Sequence, residues 1–558
     1  MKFFTKLLTF TLAFSNVFST TLTAFSAEIE KANTSAKADV SLLAGDFDVN
    51  GTVLSSDVSL PSYYSSRDEG YTLSVKNQLY NTCWAYGSCS TLESVLMKSS
   101  YNVSDFSPIH MNHWGTKRSD GTGWDREHTA GGYAYISLAY FTSWQGPRLM
   151  SDYPVHTPLL LYSQLDQTAK KQFSVNSIIY LDANDRETIK TAIYEYGAVV
   201  GNYHVNDNFY NETTYGYYCN TEGLLTHQLN GHCISIVGWD DNYSKENFTQ
   251  SAQPKENGAW LCKNSWDSNW GDGGYFWISY EDFYMFDTRF GNSYAFKDVQ
   301  PYNDRKTLYQ NEVDGATYTF DYITNYNTMT YINVFDAVSE FDTIEKVHFE
   351  TTSQGAQYII FNIPLDADNT PVADQSKWVE IGNGTVDYKG YHSVDTKDFE
   401  IDGSKFAIGV QLIDTNNSGN SIGVDEWLTV GSKYIFTPQS KPGMSYFVCN
   451  NDVPIDVMDY YKEVNNDEIG GTLVIKAVGS KPEQIRGDVD LSGRLTIFDA
   501  TLIQLYLAML EDFTDEQVAI ADFDGDGVVS IFDATLIQCE LANVGTDFEE
   551  PDDFDDFE

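Results

Sequence analysis

Apolar positions follow different rhythms in successive parts of this chain. After Cys83, the residues Ala85, Ser88, Leu92 and Val95 recur at helical spacing, which predicts a helix starting at the cysteine. "LNGHCISIVGWDDNY" (229–243) carries an apolar strand pattern. "AWLCKNSWDSNWGDGGYFWISY" (259–280) runs from a strand into a loop rich in Trp and Gly. Residues 58–296 therefore mix helix and strand. From 305 to 478 the period changes to two. "SKFAIGVQLI" places Phe406, Ile408, Val410 and Leu412 on one face, and "GTLVIKAV" does the same with Leu473, Ile475 and Ala477. With Gly, Asn and Asp between such runs, an antiparallel β-sandwich is predicted. "GSKPEQIR" (479–486) reads as a linker. Beyond it one segment is written twice over 487–544, each copy ending in an apolar-periodic helix, and an acidic tail follows at 545–558.

The start of the chain adds a targeting signal. Lys2 and Lys6 precede an apolar run and then small residues, the pattern of a secretory signal over 1–27. Later stretches fall short of the roughly 20 apolar residues of a membrane helix, so membrane insertion is not expected. Residues 28–57 read as a leader or linker. Within it Asp46, Asp48, Asn50 and Asp57, with Gly51, match calcium-loop spacing. No apolar helix pattern follows before Pro61, so a polar linker with chance spacing is the expectation.

A chain of 558 residues exceeds a single core, so several domains are implied. Its formal charge of −46, from 34 basic and 80 acidic residues, repels nucleic acid and anionic membranes. Seven cysteines lie scattered, with no CxxC pair suggesting zinc. Their odd number leaves at least one thiol free within the chain, and the sequence leaves disulfide pairing open.

Cys83 poses the chemical question. At a helix N-terminus the dipole and free N–H groups favour thiolate, yet many buried cysteines also begin helices. His232 and Asn264 sharpen the choice. A thiol nucleophile needs an imidazole to carry its proton, and the imidazole needs a third group to fix its tautomer. These three residue types occur in that order. His110 and His113 are close enough for a metal, but no third ligand is evident and a structural role is expected. His204 and the Tyr/Asn-rich stretch to Cys219 either line a cleft or form a surface loop.

"VKNQ…CWAY", "GHCISIVGWDDNY" and "KNSWDSNWGDGGYFWI" resemble the three signature blocks of papain-like cysteine peptidases, over residues 58–296. The resemblance implies two lobes. A helical lobe would carry Cys83, and a sheet-rich lobe His232 and Asn264. It further implies Gln78 as an oxyanion donor beside the Cys83 N–H. Gly131 and Gly132 would admit a substrate backbone. Trp266 would border the site and shield the His–Asn bond. Four residues, not the family's usual five, separate Gln78 from Cys83, so either the loop is tightened or Asn77 takes the role. The segment before the domain also looks short for an inhibitory prodomain. Residues 305–478 resemble, by position and pattern, the lectin-like sandwich that follows the peptidase in some bacterial members. Its aromatics either stack on a glycan or fill the core, and core is the expectation.

The duplicated segment offers hard oxygen ligands at calcium-loop spacing. The first copy presents Asp488, Asp490, Ser492, Thr496 and Asp499, with the Arg494 carbonyl. The second presents Asp522, Asp524, Asp526, Ser530 and Asp533, with the Val528 carbonyl. Gly493 and Gly527 occupy the sharp turns. Asp at the last position, and no entering helix before either loop, make the segment resemble a type I dockerin. That implies a small all-α domain, two Ca²⁺ ions and a cohesin partner on a scaffoldin. Ile497, Phe498, Ile531 and Phe532 form repeated apolar pairs suited to a binding face.

The expectation is thus a multidomain α+β protein: a secreted, scaffoldin-docked cysteine endopeptidase, free or at the cell surface, with no catalytic cofactor. One rival is an inactive peptidase fold acting as a binding or adhesion module. Another keeps the cleft but transfers the acyl group to an amine.

Overall fold

The computed structural model describes residues 59–542 apart from short internal stretches at 222–229, 289–291, 322–327, 339–341, 402, 414–419, 431–433, 451, 466–469 and 482–484. The predicted signal, the leader with its Asp46–Asp57 loop and the acidic tail lie outside the described residues. Among the described residues no helix is long and apolar enough to cross a membrane.

The first rhythm does form a helix, Cys83–Lys98, with Ala85, Ser88, Leu92 and Val95 all buried. It is buried nearly all round, which the one-sided pattern did not foretell. Its polar residues turn back on their own helix to allow this. Ser88, Thr91 and Ser94 donate to the carbonyls of Trp84, Gly87 and Ser90. The helix packs between the helical lobe, with Pro108–Trp114 and Ala134–Thr142, and an antiparallel sheet. That sheet contains the strands Val199–His204, Gly231–Asp240, Ala259–Lys263 and Tyr275–Ser279. The two lobes have separate cores, one around Trp84 and Phe141 and one around Trp239 and Phe276.

The sandwich is fused to the peptidase-like domain rather than hung from it. Strand Phe173–Leu181 pairs with Gly390–Glu400, and the sheet continues through Thr343–Thr351, Ile475–Ser480 and Lys306–Gln310. The junction needs a glycine. Gly390 has φ +137°, and a Cβ there would lie 2.1 Å from the Ile178 carbonyl oxygen. The opposing layer is a six-stranded sheet that includes Lys405–Ile413, and Phe406, Ile408, Val410 and Leu412 enter the shared core as the alternation predicts.

"GTLVIKAV" departs from its predicted pattern. It is buried on both faces. Val474 packs with residues of the N-terminal domain, and Lys476 meets Glu312 at 3.0 Å. Arg118 and Asp314 form an ion pair across the interface. The strand also runs through Ser480, so the first two residues of the predicted linker belong to the sheet.

The C-terminal segment folds into helices Ile497–Leu507, Asp515–Ala521 and Ile531–Leu541. The middle helix enters the second acidic loop, contrary to the expectation that no helix would precede it. Thr514 and Gln517 start it with a reciprocal capping box.

Candidate active site

Cys83 is the first residue of its helix. Thr82 supplies no side-chain cap; its hydroxyl turns back to the Leu79 carbonyl. The nearby backbone N–H groups of Cys233, Trp84 and Cys83 pull the thiol pKa down, but burial is the larger influence and raises it. His232 lies on the strand facing this helix, paired across the sheet with Tyr203. Its Nε2 meets Asn264 Oδ1 at 2.8 Å. Burial pushes the imidazole down to about 4, with Asn264 opposing. Trp266 covers the ring, with centroids 4.6 Å apart. Burial thus favours the neutral thiol and the neutral imidazole in this arrangement.

Gly87 brings helix and strand together. A Cβ there would lie 3.1 Å from Cys233 Sγ and 3.2 Å from the Ile234 nitrogen. Reading the sequence for chemistry missed this residue, since a glycine inside a helix pattern signals nothing by itself.

The loop before Cys83 is tightened. Tyr80 adopts φ +61°, a left-handed turn that a non-glycine residue rarely takes. Gln78 Nε2 donates to the Tyr80 carbonyl at 2.9 Å, and Gln78 Oε1 accepts from Ser265 Oγ at 2.7 Å. A primary amide nitrogen has two hydrogens, so one remains for a substrate oxygen. Asn77 is exposed and bridges to Trp266 instead. Upstream, Lys76 is fixed by Glu93 at 2.8 Å and Asp105 at 2.9 Å.

Gly131 and Gly132 lie half-buried beside this helix start. A Cβ on Gly132 would lie 2.5 Å from Trp84 Nε1, so only glycine fits against that ring. Other predicted residues have structural roles. His110 is buried between Tyr140 and Asp166, and His113 meets Tyr153. His204 does not sit in a surface loop. It is a buried strand end that accepts from the Asn230 N–H.

In the duplicated segment, ligand atoms of Asp488, Asp490 and Asp499 converge within 4.8 Å, as do those of Asp522, Asp524 and Asp533. Asp488, Asp499 and Asp533 are buried, and among the described residues no Lys or Arg pairs with them. Burial and the neighbouring Asp490 push Asp488 up to about 6. Crowded, unneutralised carboxylates of this kind fit a hard divalent cation. Other predicted ligands stand differently. Thr496 and Ser530 cap their helices through the N–H groups of Phe498 and Phe532. Ser492 Oγ bonds to Asp488 and to the Arg494 carbonyl, and Asp526 is exposed and accepts from the Val528 N–H. Ile497, Phe498, Ile531 and Phe532 are 60%, 53%, 59% and 38% exposed.

A thiol at a helix start, packed against a strand whose imidazole is held by a carboxamide, is an arrangement that a cysteine peptidase would use. Family comparison agrees. Residues 60–290 match the papain family cysteine protease model, 308–477 the lectin-like domain and 486–542 the dockerin type I domain. The solved clostridial cysteine protease Cwp84 after propeptide cleavage is 32% identical, with TM-score 0.67, over 75% of this chain and all of that one. The protease and lectin-like domains of Cwp84, described as a surface layer associated protein of Clostridium difficile, are 29% identical with TM-score 0.68, over 82% of this chain and 96% of that one. A gut-specific cysteine proteinase of Caenorhabditis elegans is 34% identical over 108 residues, 19% of this chain. The chain spans about a quarter of the length of the curated relatives it matches, 27% in that case. The chain belongs to the papain family of cysteine proteases, and carries a lectin-like domain and a type I dockerin behind the protease domain.

Proposed function

We propose that this chain is a secreted cysteine endopeptidase that hydrolyses peptide bonds with Cys83, His232 and Asn264, and is docked by its dockerin onto a cohesin-bearing scaffoldin. The observation that carries the first part is the His232–Asn264 hydrogen bond on the strand against which the Cys83 helix packs. With Nε2 held by Asn264, Nδ1 is the nitrogen left to take the thiol proton. Sulfur attacks the scissile carbonyl as that proton moves to His232. The oxyanion receives the Cys83 N–H and the second Gln78 amide hydrogen. His232 then protonates the leaving amine, and water, deprotonated by His232, cleaves the thioester. No catalytic metal enters this scheme.

The pKa directions set the pH profile. Below about 4 His232 is protonated and cannot accept the thiol proton. The Cys83 pKa is raised, so the proton that the leaving amine needs is lost only in alkaline solution. For casein cleavage, kcat/KM is expected to hold a plateau through neutral pH and to fall only as pH approaches about 4. An acid limb centred above about pH 6 sinks this assignment of His232.

Docking rests on the two carboxylate clusters and the four exposed apolar side chains. The dockerin would hold two Ca²⁺ ions, which supply the charge that neutralises the clusters. An extracellular place is supported by the N-terminal Lys and apolar pattern, the dockerin and the surface-layer relative.

A glycan ligand for the lectin-like domain is favoured by one cleft. It has a volume of about 470 Å³ and is lined by Thr328, Phe361, Gln375, Trp378, Gln411 and Asn450. None of the six is charged, on a chain of net charge −46. Three primary amides, a hydroxyl and two aromatics suit a neutral sugar. On a glycan panel, Gln411→Ala is expected to weaken the best binder about tenfold. Equal binding by the variant refutes this cleft as the site.

A further inference from the structure

We propose that the lectin-like domain holds the peptidase's substrate-backbone segment in place, through Trp124 and the positioning residue Arg126. The inference rests on the peptidase reading of the cleft.

The segment from 126 to 132 has no regular secondary structure of its own. Its conformation comes from one buried guanidinium. Arg126 Nε donates to the Gly131 carbonyl at 3.0 Å, and Nη2 to the Ala130 carbonyl at 3.1 Å. The same group reaches the helical lobe. Nη1 donates to the carbonyls of Asn112 at 3.1 Å and Gly115 at 2.8 Å, and Nη2 to Asn112 Oδ1 at 2.7 Å. Asn112 Nδ2 in turn donates to the His128 carbonyl at 2.8 Å. Carbonyls of residues 128, 130 and 131 are thus all tied to one network. The guanidinium also lies 5.2 Å from the centroid of Trp84, the ring against which Gly132 rests. A planar fork can serve these acceptors at once, and an ammonium cannot.

The second domain braces the strand that leads into Arg126. The Arg126 N–H donates to the Trp124 carbonyl at 2.8 Å. Trp124 belongs to strand Gly123–Asp125, which pairs with Tyr434–Thr437 of the lectin-like domain, itself paired with Leu428–Val430. Phe436 stands opposite Trp124, with ring centroids 4.9 Å apart. Trp124 also lies 5.1 Å from Tyr135, which stacks on Tyr133 at 5.1 Å. Tyr133 directly follows Gly132. The strands Leu428–Val430 and Tyr434–Thr437 therefore support both ends of the Gly131–Gly132 segment, from more than 290 residues away in sequence. On this reading the lectin-like domain is part of the peptidase's substrate-binding apparatus.

The test uses the full chain and fluorescein-labelled casein. In a Cys83→Ala background, which removes turnover, Phe436→Leu and Arg126→Lys are each expected to weaken casein binding, read by anisotropy, about tenfold. In the Cys83 protein the same substitutions should raise KM more than they lower kcat. Alkylation of Cys83 by iodoacetamide, which needs no substrate segment, should stay within about twofold of wild type. Unchanged casein affinity in both variants overturns the proposal. So does an equal loss of affinity and alkylation rate, which marks a general loss of fold. If wild type cuts no casein but the Cys83→Ala affinity still falls in the variants, the peptidase reading fails and the positioning stands.

Discussion

Replacing Cys83 or His232 with alanine is expected to lower kcat/KM for casein by on the order of 10⁴-fold or more, with secondary structure retained. Each removes a group that no neighbour replaces. Cys233 is the nearest other thiol along the chain to His232, but it is buried against Gly87. Double replacement should cost little more than either single one, because thiol and imidazole act as a unit. Asn264→Ala should cost less, about 10–100-fold, since it frees the imidazole without removing it. The measurement is initial-rate kinetics with circular dichroism on each variant. Retention of more than about a tenth of wild-type activity in Cys83→Ala contradicts the mechanism.

Calcium removal carries the second large effect. The dockerin core is small, with Val489, Ala500, Ile503, Ala521, Ala534 and Ile537 buried together. Its two main helices have 11 residues each, a length that is marginal in isolation. Without a cation, buried Asp488, Asp499 and Asp533 face other carboxylates. Chelation is therefore expected to unfold residues 486–542 and abolish cohesin capture, while casein cleavage continues. Calorimetric titration should find two Ca²⁺ ions per chain, and one after Asp533→Ala. Far-UV dichroism and cohesin pull-down that are unaffected by chelator contradict this account.

The proposed trio could be read from sequence because each member sits in a short local block whose pattern survives there. The helix at Cys83, the strand at His232 and the loop at Asn264 needed no knowledge of the rest. The domain junction was not legible. Lys476 alternates with apolar residues and so reads as solvent-facing, yet it is buried against Glu312. Alternation reports which side chains are polar, and a buried ion pair escapes it. Arg126 was hidden for the same reason, since a charged residue among polar neighbours reads as surface. Helix Asp515–Ala521 left a clear mark in the Thr514/Gln517 capping box, but its polar first turn masked the apolar stripe. The shortened loop was visible as a count, and its remedy, the left-handed Tyr80, was not.

The proposed mechanism stands on Cys83 as the working nucleophile. All seven cysteines are free thiols, and Cys83 and Cys539 are the two that are not fully buried. The most direct measurement is intact mass and peptide mapping after treatment with an epoxysuccinyl peptide probe, on wild type and Cys83→Ala. One adduct per chain is expected, mapped to Cys83, absent from Cys83→Ala and accompanied by loss of casein cleavage. No adduct at Cys83 in folded, calcium-loaded protein, or an adduct that leaves cleavage intact, contradicts it.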